Sequence, residues 1–276
     1  MNLVIQGHAI SRDELTQLVA LVQANHVIDL GPGAWRLTRA QDEPSIEAFC
    51  AQRGLDFAWV PDERRLADMR LLALDMDSTL ITIECIDEIG DLLGIRDRIS
   101  ALTAMAMRGE IDYTDSLRRR VALLAGMEEG ALEHVLEERL RLSPGAERLV
   151  ARCRELGLHT LLVSGGFSFF TQWLKTRLGI DEALSNELEI VDGRLTGRIT
   201  GVVVDGEAKA ARLLRAMNAL GATRGQTIAV GDGANDLPMM AQAGISVAYR
   251  AKPLVRERAM HAIDHAGLDA VLNLFL

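Results

Sequence analysis

The stretch Leu71-Leu72-Ala73-Leu74-Asp75-Met76-Asp77-Ser78-Thr79 decides the fold class of this chain. Its first four residues are all apolar, which predicts a short strand buried on both faces. Two further apolar runs, 158–163 and 227–230, also end in polar residues, and a helical pattern follows each of them. Continuous apolar strands that alternate with helices are typical of a parallel sheet with helices on both faces. The sequence therefore predicts an α/β fold with a Rossmann-like parallel sheet.

Polar clusters follow all three predicted strands. Asp75 and Asp77 come after the first strand, Ser164-Gly165-Gly166 after the second and Gly231-Asp232-Gly233-Ala234-Asn235-Asp236 after the third. Ligands of open α/β sheets bind outside the carboxyl ends of the strands. We therefore expect the three clusters to meet at one edge of the sheet and to form a binding site there.

Two other regions have patterns of their own. Residues 84–142 are dominated by helical periodicity and lie between the first two predicted strands, so we expect an inserted helical cap within an α/β domain over 67–276. Residues 1–66 predict a small α+β domain with the element order β-α-β-β-α-β. Its first helix begins with the capping-box pair Ser11 and Glu14, and the polar segment 61–65 is the predicted linker.

Composition and charge exclude several classes of protein. The chain has 276 residues, of which 49% are hydrophobic and 25% charged, and these values are typical of a globular protein. Its 39 acidic and 30 basic residues give a net charge of −9, which disfavours nucleic acid as a partner. A local cluster of basic side chains or a metal ion still allows a small anionic substrate. The sequence leaves a homodimer open.

The expected location is the cytoplasm. The apolar run at residues 1–6 is too short for a signal peptide, and the uncharged stretch 156–174 is too polar for a membrane span. The three cysteines, Cys50, Cys85 and Cys153, form no CxxC pair and no disulfide framework, so we expect three buried thiols. His261 and His265 have the i, i+4 spacing of zinc-binding helices but lack an adjacent glutamate.

The acidic clusters predict a site for a hard cation. Asp75, the backbone carbonyl of Asp77 and Asp232 would form an oxygen-only site that suits Mg²⁺. Each signal alone has a plainer interpretation: an aspartate-rich turn or helix cap, a glycine turn without a ligand, or, for Lys209, a solvated surface lysine. Mn²⁺ in place of Mg²⁺ stays open.

Taken together, these clusters resemble the four motifs of the haloacid dehalogenase superfamily of phosphohydrolases. The run from Asp75 to Thr79 matches the first motif, DxDxT, Ser164 the second, Lys209 the third and the run from Gly231 to Asp236 the fourth. The match continues through Glu84-Cys85-Ile86-Asp87-Glu88 and through Ser116-Leu117-Arg118-Arg119-Arg120-Val121, and covers about residues 70–265. Within the superfamily the chain is similar to the two-domain bacterial members that hydrolyse O-phospho-L-serine. The order of elements in residues 1–66 resembles ACT-type amino-acid-binding domains.

The resemblance implies a role for each matched residue. Asp75 would be the nucleophile that forms an aspartyl-phosphate, and Asp77 would be the general acid and base. Lys209, Ser164 and the N–H of Gly165 would stabilise the phosphoryl oxygens. The metal site would hold Mg²⁺ through Asp75, Asp77, Asp232 and Asp236, and Asp236 would bind metal waters or orient Lys209.

The resemblance also implies how the substrate is recognised. Arg120 would bind the substrate carboxylate and Glu84 its ammonium group, while Asn235 would lie near the phosphate. Tyr113 stands where this family often has a phenylalanine packed over the substrate, so its hydroxyl departs from the pattern. The implied activity is the last step of serine biosynthesis.

Two other functions remain open at this level. The same mechanism could act on another phosphorylated amino acid, on a sugar phosphate or with another phosphoryl acceptor. A regulatory protein that senses an amino acid is the alternative from a different class, and the presence of both Asp75 and Asp77 argues against it.

Overall fold

Two separate β-sheets organise the chain in the computed structural model, which describes residues 1–7 and 10–276. The smaller sheet is antiparallel, with the strand order β2-β3-β1-β4. Its strands and the two helices that accompany them are β1 (Asn2–Gly7), α1 (Arg12–Val22), β2 (His26–Gly31), β3 (Ala34–Thr38), α2 (Ser45–Ala51) and β4 (Leu55–Val60). This is the predicted element order. The predicted capping box of α1 is confirmed, because the Ser11 hydroxyl accepts from the Glu14 N–H and Glu14 accepts in return from the Ser11 N–H.

The larger sheet has seven strands in the order β11-β10-β9-β5-β6-β7-β8. All neighbours in it are parallel except the antiparallel pair β7 and β8. The strands are β5 (Leu71–Leu74), β6 (His159–Phe167), β7 (Glu182–Val191), β8 (Arg194–Thr200), β9 (Thr227–Gly231), β10 (Ile245–Tyr249) and β11 (His261–Ile263). The predicted α/β class with a parallel sheet is thus confirmed.

Strand β5 shows why this sheet is covered on both faces. Leu72 and Leu74 belong to one hydrophobic core cluster, whereas Leu71 and Ala73 belong to a second. Successive side chains of a strand point to opposite faces, so a strand buried on both sides must be apolar throughout. The four side chains are at most 1% exposed. The unbroken apolar run therefore has a direct structural cause.

Helices fill the segments between the strands. Four of them lie within residues 84–142, where the sequence predicts a helical insertion: α3 (Cys85–Leu92), α4 (Arg96–Met107), α5 (Tyr113–Ala122) and α6 (Gly130–His134). The remaining helices follow α6 in the chain: α7 (Ala146–Glu155), α8 (Ser168–Leu178), α9 (Gly206–Leu220), α10 (Leu237–Gln242) and α11 (Pro253–Arg258). The uncharged stretch 156–174 contains β6 and the start of α8. Within residues 1–7 and 10–276, no helix has the length and apolar character needed to cross a membrane.

The small sheet is fastened to the end of the chain by buried polar contacts. Arg36 of β3 is 1% exposed and donates to the backbone carbonyls of Asn273 and Phe275. Asp56 of β4 is 5% exposed and accepts from the N–H groups of residues 264, 265 and 266. Because polar groups buried without partners are costly, these contacts fix how the small sheet packs against the segment after β11.

Candidate active site

Three adjacent strands of the large sheet carry the predicted site. Strands β9, β5 and β6 are parallel neighbours, so their carboxyl ends lie side by side. Asp75 follows β5, Asp232 follows β9 and Ser164 lies near the end of β6. A single cavity of about 840 Å³ reaches all three residues. The predicted convergence of the clusters is therefore what the structure shows.

An acidic cluster lies at the centre of this edge. Carboxylate oxygens of Asp75, Asp232 and Asp236 all lie within 4.8 Å of one another, and all three residues are buried. Asp236 is fixed because it accepts from the N–H groups of Asp232 and Gly233 at 3.1 and 3.0 Å. Asp232 in turn accepts from the Thr79 hydroxyl at 3.2 Å. The cluster is thus held rigidly by its own turns.

Lys209 supplies the counter-charge. Its Nζ atom lies 2.7 Å from Oδ1 of Asp75 and 2.7 Å from Oδ1 of Asp236, and the side chain is fully buried. Helix α9 positions it, and the Asp205 side chain caps that helix by accepting from the Ala208 N–H. Burial opposes the charge, but the two carboxylates outweigh it and raise the pKa of Lys209 above its usual value. Lys209 therefore stays an ammonium.

Burial also shapes the carboxyl groups. It raises the pKa of Asp75, and the neighbouring Asp236 adds to the shift while Lys209 opposes it. Burial and Asp236 raise the pKa of Asp232 to about 7. Carboxyl groups packed this closely repel one another and share protons unless further positive charge is present. Among the described residues, Lys209 is the one basic side chain within 4 Å of the cluster.

These observations test whether a metal ion fits. Carboxylate oxygens are the ligands that Mg²⁺ prefers, and three buried carboxylates outnumber the single ammonium that contacts them. A divalent cation would complete the neutralisation. The acidic cluster therefore fits such an ion, with Asp75, Asp232 and Asp236 as side-chain ligands.

Asp77 occupies a different environment two residues along. Asp77 lies in a turn over residues 76–80, in which Ser78 adopts a positive φ of 56°. Burial and the neighbouring Glu84 raise the pKa of Asp77 to about 8. Its carboxylate accepts from the Cys85 N–H at 3.3 Å. Two adjacent carboxyl groups with distinct surroundings are the arrangement that separates a nucleophile from a proton carrier.

The segment Ser164-Gly165-Gly166 is not the strand-to-helix turn predicted from the sequence. It continues β6 with a register shift between Val163 and Phe167. Asn186 of β7 causes this, because its amide donates to the Gly165 carbonyl at 2.8 Å and its carbonyl accepts from the Val204 N–H at 2.8 Å. Asn186 was missed in the sequence, because it stands between the polar residues Ser185 and Glu187 and nothing local marks it as buried.

The glycines allow close approach of neighbouring side chains. A Cβ atom on Gly166 would lie 2.8 Å from Oδ2 of Asp77, and one on Gly165 would overlap the Tyr113 hydroxyl. The Ser164 hydroxyl accepts from the Gly166 N–H at 2.8 Å and lines the cavity. A side chain at either position would therefore displace a neighbouring side chain of the site.

Residues of α3 and α5 form the opposite wall of the cavity. Glu84 precedes α3 and accepts from the Ser78 hydroxyl at 2.8 Å. Tyr113 and Arg120 lie on α5 and line the same cavity, and Asn235 lines it from the core side. The Nε atom of Arg120 is buried without a hydrogen-bond partner among the described residues. The structure thus brings every predicted site residue to one cavity or to the acidic cluster beside it.

Three other expectations have different outcomes. The three cysteines are buried and free, as predicted. The helical spacing of His261 and His265 is misleading, because His261 lies in β11, where its ring contacts Arg64 at 2.8 Å. As an apolar residue of the predicted cap, Met107 is expected to pack in the core or the cap, but it is 68% exposed and lines the cavity at the last residue of α4.

Comparisons with known proteins agree with this geometry. The family model described as haloacid dehalogenase-like hydrolase matches residues 72–241, and a model described as a domain of unknown function matches residues 3–45. A phosphoserine phosphatase of a Polaromonas species is 55% identical over 76% of this chain and 91% of its own length.

Solved structures extend the similarity to almost the whole chain. A haloacid dehalogenase family hydrolase of Salmonella enterica serovar Typhi has a TM-score of 0.89 and 32% identity, with 100% of this chain and 99% of that chain covered. A probable phosphoserine phosphatase of Vibrio cholerae has a TM-score of 0.85 and 38% identity, with 99% and 85% covered. The strand-end carboxylates, the buried lysine and these matches lead to one conclusion: the chain belongs to the haloacid dehalogenase-like hydrolases.

Proposed function

We propose that this protein hydrolyses O-phospho-L-serine to L-serine and phosphate with the aid of Mg²⁺. The observation that carries the proposal is that Asp75 and Asp77 line the same cavity as Glu84 and Arg120. The two aspartates have the groups for phosphoryl transfer, and Glu84 and Arg120 are one anion and one cation that fit an α-amino acid. Relatives at 53–55% identity are named phosphoserine phosphatases, which supports the choice of substrate.

Asp75 is the nucleophile in this proposal. A carboxylate oxygen of Asp75 attacks the phosphorus atom, the bond from phosphorus to the serine oxygen breaks, and an aspartyl-phosphate forms. Lys209 lies 2.7 Å from Asp75, so its ammonium holds the carboxylate in place and offsets negative charge on the transferring group. The Ser164 hydroxyl and the Gly165 N–H donate to phosphoryl oxygens from the adjacent strand. A Mg²⁺ ion held by Asp75, Asp232, Asp236 and the Asp77 carbonyl would supply positive charge that lets the two anions approach.

Asp77 moves the proton. Its pKa of about 8 means that the carboxyl group is largely protonated at neutral pH and can donate to the departing serine oxygen. The resulting carboxylate then accepts a proton from the water that attacks the aspartyl-phosphate. This second attack releases phosphate and restores both side chains to their starting states.

Arg120 and Glu84 select the amino acid. The guanidinium of Arg120 binds the substrate carboxylate, and its buried Nε atom, unpartnered among the described residues, is a donor available for this contact. Glu84 binds the substrate ammonium from beside Asp77. Substrates without both charges leave one of these two cavity-lining groups unpaired, so sugar phosphates are disfavoured.

We further propose that the reaction is the final step of serine biosynthesis and takes place in the cytoplasm. The free thiols of Cys50, Cys85 and Cys153 support a reducing compartment.

Phosphate release from O-phospho-L-serine, measured with and without EDTA, tests the proposal. We expect turnover that EDTA abolishes and that added Mg²⁺ restores. O-phospho-L-threonine and glucose 6-phosphate serve as competing substrates in the same assay. A higher kcat/KM for either of them than for phosphoserine would favour a phosphatase for another metabolite.

A further inference from the structure

The Tyr113 hydroxyl occupies a position that the mechanism above does not use. Tyr113 is the first residue of α5, and the Asp112 side chain caps this helix by accepting from the Asp115 N–H at 2.7 Å. The ring therefore projects from a fixed helix start into the cavity that contains Asp75 and Ser164. Among the hydrogen bonds of residues 1–7 and 10–276, none involves this hydroxyl.

The hydroxyl lies at the phosphoryl end of the cavity rather than at its amino-acid end. It packs directly on Gly165, since a Cβ atom there would overlap the hydroxyl oxygen and would lie 3.2 Å from the Tyr113 Cζ atom. The same Cβ atom would lie 3.8 Å from Nδ2 of Asn235. Gly165 and Asn235 lie at the strand ends of the large sheet and flank the proposed phosphate position. The Tyr113 hydroxyl approaches the same position from α5.

Charged groups of the site lie near this hydroxyl. Lys209, Asp75 and Asp77 all act on the Tyr113 hydroxyl, and Arg120 does so from its own helix. Burial keeps the phenol protonated at neutral pH, and a neutral phenol can donate one hydrogen bond. A donor that lines the cavity, is unpartnered among the described residues and packs beside Gly165 and Asn235 is matched to an anionic oxygen.

We propose that the Tyr113 hydroxyl donates a hydrogen bond to a non-bridging oxygen of the phosphoryl group. This inference rests on the proposed function and deepens it. Phosphoryl recognition is then shared between the strand ends and α5, because Ser164 and Lys209 bind from one side and Tyr113 from the other. A phenylalanine at this position would keep the packing but lose the donor.

The Tyr113→Phe variant separates the two ends of the substrate. Binding of inorganic phosphate and of L-serine is measured by calorimetry on the Mg²⁺-loaded protein. A hydrogen bond to a charged group is worth about tenfold or more in affinity, so we expect phosphate to bind about tenfold more weakly. L-serine lacks the phosphoryl group, and its affinity should change by less than about twofold. Tyr249→Phe is the matched control, because Tyr249 is the other tyrosine and lies buried in β10, outside the cavity.

Several outcomes distinguish this inference from the proposed function. Unchanged phosphate affinity in Tyr113→Phe, or an equal loss for L-serine, would overturn the role of the hydroxyl. If phosphate binding depends on Tyr113 while the wild type fails to hydrolyse phosphoserine, the inference stands and the proposed substrate is wrong. Absence of phosphate binding by the wild type would overturn both.

A double-mutant cycle with Gly165→Ala gives a second test. The added methyl group displaces the hydroxyl in the wild type, so phosphate binding should fall. In the Tyr113→Phe background that hydroxyl is already absent, and the same substitution should cost clearly less. Additive losses would show that the two residues act independently and would contradict the proposal.

Discussion

The ammonium of Lys209 lies 2.7 Å from a carboxylate oxygen of Asp75, and both side chains are buried. This ion pair connects the end of β5, where the proposed nucleophile lies, to helix α9. Asp236 shares the same ammonium at 2.7 Å, so one positive charge faces two carboxylates. These side chains therefore carry more negative than positive charge. A divalent cation would offset the excess and would let an anionic phosphoryl group approach Asp75.

Asp75→Asn should abolish phosphoserine hydrolysis. The amide is close in shape to the carboxylate but does not attack phosphorus, so we expect phosphate release to fall by about a thousandfold or more. Asp29→Asn, on an exposed position of the small sheet, is the control and should retain wild-type kcat. Normal turnover by Asp75→Asn would exclude Asp75 as the nucleophile.

Lys209→Met should destabilise the protein as well as inactivate it. Without the ammonium, Asp75 and Asp236 remain buried without their counter-charge, and breaking a buried ion pair in this way costs about 3 kcal/mol or more of unfolding free energy. Urea denaturation measures the loss, and added Mg²⁺ should recover part of it.

Lys175→Met is the matched control, because Lys175 lies in α8 outside the cavity. Its effect should stay within about 0.5 kcal/mol. Equal losses for the two variants would mean that the ion pairs of Lys209 contribute nothing specific.

Mg²⁺ should stabilise the wild type through the acidic cluster. A ligand that binds only the folded state at 100 times its Kd adds about 2.7 kcal/mol of unfolding free energy. Asp232→Asn removes one of the three clustered carboxylates and should reduce this increment sharply. Asp181→Asn, whose carboxylate contacts Thr160 outside the cluster, should lower stability but keep the full Mg²⁺ increment. A full increment in Asp232→Asn would place the ion elsewhere.

The strand ends could be predicted from the sequence because each is marked by local residues. The apolar run 71–74 predicts β5, and Asp75 and Asp77 follow it directly. Their place at the carboxyl edge of the sheet can therefore be predicted without knowledge of distant contacts. Lys209 is a harder case, since a lone lysine is usually solvated. Its spacing contained a signal: Leu213 and Ala216 follow at i+4 and i+7, which places Lys209 on the buried face of α9.

What the sequence could not predict depends on contacts between distant residues. The conformation of Ser164-Gly165-Gly166 is set by Asn186, which lies 21 positions from Gly165 and donates to its carbonyl. A local pattern sees two glycines and predicts a turn, because it has no access to that hydrogen bond. The position of the Tyr113 hydroxyl against Gly165 is non-local in the same way. Local sequence patterns therefore predict which residues form the site, and tertiary contacts determine their exact positions.

Asp56→Asn should loosen the small sheet from the rest of the chain. The Asp56 carboxylate accepts four hydrogen bonds from the N–H groups of residues 264–266, and the amide can neither carry the charge nor accept all of them. We expect a loss of about 2 kcal/mol in the free energy of unfolding, measured in urea. Asp62→Asn, at an exposed aspartate, should cost less than about 0.5 kcal/mol. Equal stability of Asp56→Asn and the wild type would show that these bonds do not hold the sheet.

His261 should make stability depend on pH below neutrality. Burial, with the neighbouring Arg64, lowers the pKa of His261 to about 4, whereas an unfolded histidine titrates near 6.5. Between these values the unfolded state binds a proton that the folded state does not, so stability falls as the pH falls from about 6.5 to about 4. The full difference is about 3 kcal/mol. His261→Gln has no ionisable ring, so its unfolding free energy should decline by about that much less over the same range. His26→Gln, at an exposed histidine, should show the same dependence of unfolding free energy on pH as the wild type. If His261→Gln also shows the wild-type dependence, the prediction is contradicted.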